Sequence, residues 1–119
     1  MPDGPKKDGD KKKTAKMPPP ENKQKINHIF KNKHGHLPFT PENYALLKNL
    51  VEDAKNYLGL DMYGKQWFGK TLENGTQLWA YAQNGKVISG GLNETMVPYC
   101  PINGLIKPKI KIPNSIFKG

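Results

Sequence analysis

Two Asn-Gly pairs, Asn74-Gly75 and Asn84-Gly85, constrain this chain more than any other feature. Asn-Gly between apolar runs is the strongest short hairpin signal, because a two-residue turn needs positive φ at both central positions. The spacing predicts a three-stranded antiparallel meander over residues 62–91. Its strands are expected at about Lys65–Thr71, Thr76–Ala82 and Lys86–Gly90. In the middle strand Leu78, Ala80 and Ala82 alternate with Gln77, Trp79 and Tyr81, the period of a pleated strand with two different faces. Gly90-Gly91 marks the end of the third strand or a bulge in it.

One helix is predicted within 38–59. Thr40 is the N-cap, Pro41 takes the first helical position, and Glu42 sits where the helix dipole favours an acid. Tyr44, Leu47, Val51, Ala54 and Leu58 recur at helical spacing, and Leu46, Leu50 and Tyr57 widen the stripe. Gly59 is the expected C-cap. An apolar helix face followed by a meander implies an α+β fold, with the helix packed on a small twisted antiparallel sheet.

The ends read differently. Residues 1–22 are rich in Lys, Asp, Gly and Pro and hold too little apolar surface to offset ordering entropy. They are read as a disordered basic linker, with 23–119 as a single domain. A domain behind such a linker suggests a module cut from a longer chain, with Met1 the start of the excised piece. Near the other end, Ile106, Ile110 and Ile112 interleave with Lys107, Lys109 and Lys111. That is a basic edge strand or an extended tail, and Pro108 keeps it off a central position.

The 119 residues suffice for one small core. No apolar run approaches the roughly 20 residues of a spanning helix, and no apolar h-region follows the first lysines. A single cysteine, Cys100, excludes an internal disulfide and a Cys-rich zinc site, and it has no evident activating partner. The net charge is +9, and every basic residue is Lys. Ammonium groups attract phosphate as point charges, without the planar fork of guanidinium, which favours a polyanion backbone over base edges. Eight lysines face four acids in 1–27, and eleven face six in 28–119, so the excess does not rest on the tail. The alternative is a solvated surface that aids solubility.

All three histidines, His28, His34 and His36, fall in one short window with Lys23, Lys25, Lys31 and Lys33 around it. Imidazole exchanges protons near neutral pH, and adjacent ammonium groups bind phosphate and stabilise a developing phosphorane. This is the equipment of metal-free RNA cleavage. The same residues have plainer readings. His28 before Ile29-Phe30 suits a histidine bonded to backbone, His34-Gly35-His36 suits an exposed loop, and three histidines suffice for zinc. No nearby carboxylate supports the zinc reading, and the lysines would repel a cation. Ser89, Asn93 and Thr95 near the third strand can orient phosphate, though polar residues there are also ordinary turn formers. Lys65, Lys70 and Lys86 line a basic sheet face or a solvated strand edge. Trp67, Trp79 and Tyr81 can stack bases, but strand aromatics in so small a domain favour the core.

The string His28-Ile29-Phe30, Gly35-His36, Thr40-Pro41-Glu42-Asn43, Tyr63-Gly64-Lys65-Gln66-Trp67-Phe68, Asn74-Gly75-Thr76-Gln77-Leu78-Trp79, Asn84-Gly85-Lys86-Val87-Ile88 and Gly90-Gly91-Leu92-Asn93 resembles the C-terminal toxin domains of bacterial polymorphic and contact-dependent inhibition toxins. More distantly, the order of elements is similar to the colicin D nuclease domain. The resemblance covers roughly 26–97 and implies the barnase/EndoU/colicin/RelE-like (BECR) fold. It also implies a metal-independent, cofactor-free ribonuclease that cuts tRNA to a 2′,3′-cyclic phosphate. By position, His28 matches the colicin histidine, Lys25 a flanking lysine, and Ser89-Gly90 its Ser-Gly segment. Asn27 stands where the colicin has Lys, and Gly91 where it has Trp. The expected catalytic set is therefore His28, His36, Lys25 and Ser89, with Lys23, Lys65, Lys86, Asn93 and Thr95 on the RNA and no metal. The resemblance further implies a cognate acidic immunity protein and delivery within a larger secreted effector that acts in a target cell's cytoplasm. The rival readings are a non-catalytic nucleic-acid-binding module and a metal-dependent DNase.

Overall fold

The computed structural model describes residues 13–102 and 104–105. The chain forms helix α1 (Lys23–Ile29), helix α2 (Pro41–Glu52), a short 3-10 turn (Ala54–Asn56), and strands β1 (Tyr57–Leu60), β2 (Gln66–Thr71), β3 (Gln77–Gln83) and β4 (Lys86–Asn93). The four strands make one antiparallel meander in the order β1-β2-β3-β4. The architecture is α+β, with two helices and one sheet.

Helix α2 starts as its sequence dictates: the Thr40 hydroxyl accepts from the Asn43 amide at 3.0 Å, and Pro41 follows. It ends at Glu52, short of the expected Gly59. The Asp53 carboxylate accepts from the Lys55 amide at 2.9 Å, and Asn56 donates to the Leu50 carbonyl at 3.1 Å. These local bonds give the backbone an alternative to another helical turn. Tyr57–Leu60, which matched the helical stripe, is instead an edge strand, so the meander has one more strand than expected. Gly59 lies inside it at φ 138°, where the register of β1 on β2 shifts.

The hairpin turns separate by type. Asn84 (φ 56°) and Gly85 (φ 78°) both take positive φ in the tight β3–β4 turn. In the β2–β3 turn Gly75 takes positive φ but Asn74 does not, and the Gly75 amide donates to the Leu72 carbonyl at 3.0 Å. The Asn74 side chain instead accepts from the Thr76 amide and hydroxyl. Strand β4 continues through Gly90-Gly91 to Asn93, and its register irregularity comes earlier, opposite Tyr81/Ala82.

The two faces of the sheet bury different things. Phe68, Leu78, Ala80, Ala82 and Val87 pack with Ile26, Ile29, Leu47, Leu50 and Val51 from the helices. Small residues set the approach: a Cβ on Gly90 would lie 2.8 Å from a Leu47 methyl. On the opposite face Trp67 and Trp79 pack with Leu105, Tyr81 and Tyr99. The Asn93 amide donates to Gln77 and to the Leu105 carbonyl, and Gln77 in turn bonds Val97, which holds Val97 and Leu105 over this face. The basic strand or tail expected beyond Ile106 lies outside the described residues. Among the described residues no helix is long and apolar enough to cross a membrane.

Residues 13–22 correct the linker boundary. Ala15 is buried at 4 % exposure, and its amide donates to the Val51 carbonyl at 2.8 Å. Lys16 pairs with the start of β4, donating to Gly85 and accepting from Val87. The Tyr44 hydroxyl donates to the Pro18 carbonyl at 2.8 Å. Composition missed this because one added strand residue and one buried alanine do not alter a charged, Pro-rich average. The stretch before Lys13 lies outside the described residues.

Asp61 anchors the β1–β2 loop. Its carboxylate accepts from the amides of Tyr63 (2.8 Å) and Lys65 (2.9 Å) and from the Trp67 indole (2.9 Å). Burial alone would raise its pKa, but these donors and the Lys65 ammonium outweigh burial and hold it below the ordinary value of 3.8. Below 3.8 the unfolded chain therefore takes up the proton before the folded one does. The contribution to stability is full above that pH and is lost as pH falls through the folded value. Urea midpoints measured down the acid range should drop more steeply for wild type than for Asp61→Asn. Equal acid slopes would count against this role.

Candidate functional site

Helix α1 is short, and the Asn22 side chain caps it by accepting from the Lys25 amide at 3.2 Å. Ile26 and Ile29 turn inward, and the helix packs against β4. Lys25 and His28, three residues apart, are therefore neighbours on its exposed side. The chain then makes a tight turn. The His36 amide donates to the Lys33 carbonyl at 3.0 Å, and Gly35 takes φ 84°. This turn docks on the outer edge of β4, where the Leu92 amide donates to the Gly35 carbonyl at 3.2 Å.

Docking brings His36 to the sheet. Its Nδ1 lies 3.1 Å from the Gly90 carbonyl oxygen, and its ring meets Trp79 edge-on at 5.7 Å. A carbonyl can only accept, so Nδ1 carries the hydrogen, and the lone pair of the neutral ring is on Nε2. Burial lowers the His36 pKa below 6.5, and Lys31 and Lys33 push the same way against the opposing carbonyls of Gly90 and Ile29. The ring is thus neutral at pH 7 with its tautomer set by the fold. Gly91 makes the seat possible: a Cβ there would overlap the Gly35 carbonyl and press on the His36 backbone and Trp79.

Ser89 joins this group. It pairs with Tyr81, and Gly91 pairs with Trp79, so Ser89 shares the sheet face over which His36 sits. Ser89 is 8 % exposed, and Trp79 Nε1 beneath the histidine is buried without a hydrogen-bond partner among the described residues.

The other expected residues fall into separate places. His34 is exposed, 3.9 Å from Glu94. Among the described residues no group of three or more His, Cys, Asp or Glu is gathered as a metal site would require, so the three histidines do not converge. The Asn93 amide is committed to Gln77 and Leu105, a structural duty that removes it from the expected phosphate ligands. Thr95 is exposed just past β4, and Lys23 is exposed at the start of α1. The Lys65 ammonium lies over the Tyr63 and Tyr81 rings at 5.4 and 5.7 Å. Trp67 and Trp79 are core residues, as their strand context suggested.

Lys25 and Lys86 do come together. With Lys16, Met17, Pro18, Pro19, Asn22 and Val87 they line a cavity of about 260 Å³ between the N-terminal segment, α1 and β4. Sequence reading missed Lys16. The signal available was the brief alternation Thr14-Ala15-Lys16-Met17, the only strand-like period in that segment. In comparisons with known proteins the chain matches no family model, no curated protein and no solved structure.

Proposed function

We propose that this domain is a metal-independent ribonuclease of the toxin type, with a BECR-like fold and tRNA as its substrate. The observation that carries the reading is the neutral His36, its Nδ1 tethered to the Gly90 carbonyl beside Ser89. His36 Nε2 takes the proton from a ribose 2′-hydroxyl. The 2′-oxygen attacks phosphorus, and the P–O5′ bond breaks. His28, on the exposed side of α1, gives a proton to the leaving 5′-oxygen. The Ser89 hydroxyl stabilises the charge on the phosphorane oxygens, and the Lys25 and Lys86 ammoniums hold a neighbouring phosphate of the strand. The products are a 2′,3′-cyclic phosphate and a 5′-hydroxyl. Helices preceding an antiparallel meander agree with the order that the toxin resemblance implies.

The net charge of +9 suits a polyanionic substrate and an acidic inhibitor protein that covers the same surface. In this reading the domain travels as the end of a larger secreted effector and acts in the cytoplasm of the target cell. Purified domain incubated with total tRNA and EDTA is expected to yield fragments on a denaturing gel, with cyclic-phosphate and 5′-hydroxyl ends. Cleavage only after addition of a divalent metal would replace this mechanism with a metal-dependent one. Intact RNA with a retarded native-gel band would make the domain a binding module.

A further inference from the structure

The cavity beside α1 is lined by three lysines from separate parts of the chain, Lys16, Lys25 and Lys86. Each stem leaves a pinned backbone. Lys16 is held by Gly85 and Val87, the Lys25 amide by Asn22, and Lys86 pairs with Gln83. Among the described residues none of the three pairs with a carboxylate; the ion contacts there are His34–Glu94 and Lys48–Glu52. Three like charges around one cavity without a counter-charge repel one another, and a bound anion relieves that repulsion. The rest of the lining is Met17, Pro18, Pro19 and Val87, which offers apolar contact to a flat ring. About 260 Å³ admits one nucleotide unit and not the end of a duplex.

The cavity also has a fixed relation to His36. Helix α1 runs from Asn22 and Lys25 at the cavity to Ile29, whose carbonyl bears on the His36 ring. Strand β4 runs from Lys86 and Val87 at the cavity to Gly90, which holds that ring. From Lys25 to Ile29 four residues of helix span about 6 Å, and from Val87 to Gly90 three residues of strand span about 10 Å. The two rulers thus set cavity and histidine within about 10 Å of each other along the chain, within reach of neighbouring units of one strand.

The geometry points to a nucleotide subsite: the Lys16–Lys25–Lys86 cavity binds the phosphate and base of one unit of a single-stranded RNA, on the strand that presents its scissile bond to His36. This deepens the ribonuclease reading and rests on it for the identity of the strand. The subsite makes the domain favour oligonucleotides over dinucleotides without reading sequence.

The test uses the intact chain and an octaribonucleotide methylated at every 2′-oxygen, which cannot undergo the attack. Anisotropy is expected to show binding at least tenfold weaker in Lys25→Ala/Lys86→Ala, with the salt slope reduced by about 1.4. Lys48→Ala/Lys55→Ala removes the same charge elsewhere and should change affinity less than twofold. In amide NMR, adenosine 5′-monophosphate should shift the cavity residues more than inorganic phosphate does. Equal weakening by both lysine pairs, shifts centred elsewhere, or equal shifts by inorganic phosphate would overturn the subsite. If the cavity residues shift and unmodified RNA stays whole, the subsite stands and the catalytic reading falls.

Discussion

His36→Ala is expected to lower the rate of RNA cleavage by about 10²–10⁴-fold, the range for loss of a positioned general base. The ring is not replaceable from its surroundings. His34 points to solvent near Glu94, and no other imidazole touches Gly90. Because burial holds the His36 pKa below 6.5, the acid limb of the pH–rate profile should lie below that value. His28→Ala should also slow cleavage, since the leaving 5′-oxygen then lacks its proton donor. Near-UV circular dichroism controls for folding, because the His36 ring also packs on Trp79. A folded His36→Ala protein that cleaves at the wild-type rate would end the assignment. Loss of activity in His28→Ala alone would move the base onto α1.

Trp67→Ala should destabilise the domain by about 3–5 kcal/mol, the range for deleting a large buried aromatic. Trp67 is 1 % exposed and lies 4.8 Å from the Tyr81 ring and 5.9 Å from the Trp79 ring. Gly104 lies directly against it, where any Cβ would enter the indole. Truncation therefore opens a cavity and removes the surface on which Gly104 and Leu105 pack. It also deprives the Asp61 carboxylate of its indole donor. Trp67→Phe separates the two effects: it keeps most of the ring and loses the donor, for about 1–3 kcal/mol. Urea unfolding measures both. A loss below about 1 kcal/mol in Trp67→Ala would show that this face contributes little to the small core.

Particular residues show where the sequence was legible. Thr40-Pro41 starts α2 because the cap and the first-turn proline act within a few residues. Asn84-Gly85 forms its turn, and the alternation of Leu78 with Trp79 separates the two sheet faces, for the same local reason. The end of α2 misled because Tyr57 and Leu58 satisfy a helical period and a strand period alike, and the bonds of Asp53 and Asn56 decided between them. Helix α1 has seven residues, too few for a period to show, and its stability comes from burying Ile26 and Ile29.

The candidate site divides along the same line. Composition singled out the histidines and lysines as chemistry-bearing, and the chain order placed Ser89 and Gly90 at a strand. Nothing local links His36 to Gly90, 54 residues away, or Lys16 to Lys86. The sequence by itself determined the turns, the start of α2 and the inner and outer faces of the central strands, because those follow from backbone preferences over a few bonds. Only the tertiary structure decided which histidine meets the sheet and which lysines share a cavity. Those pairings come from docking two short segments on the free edge of β4, where unpaired backbone groups and the bare Cα of Gly91 accept them.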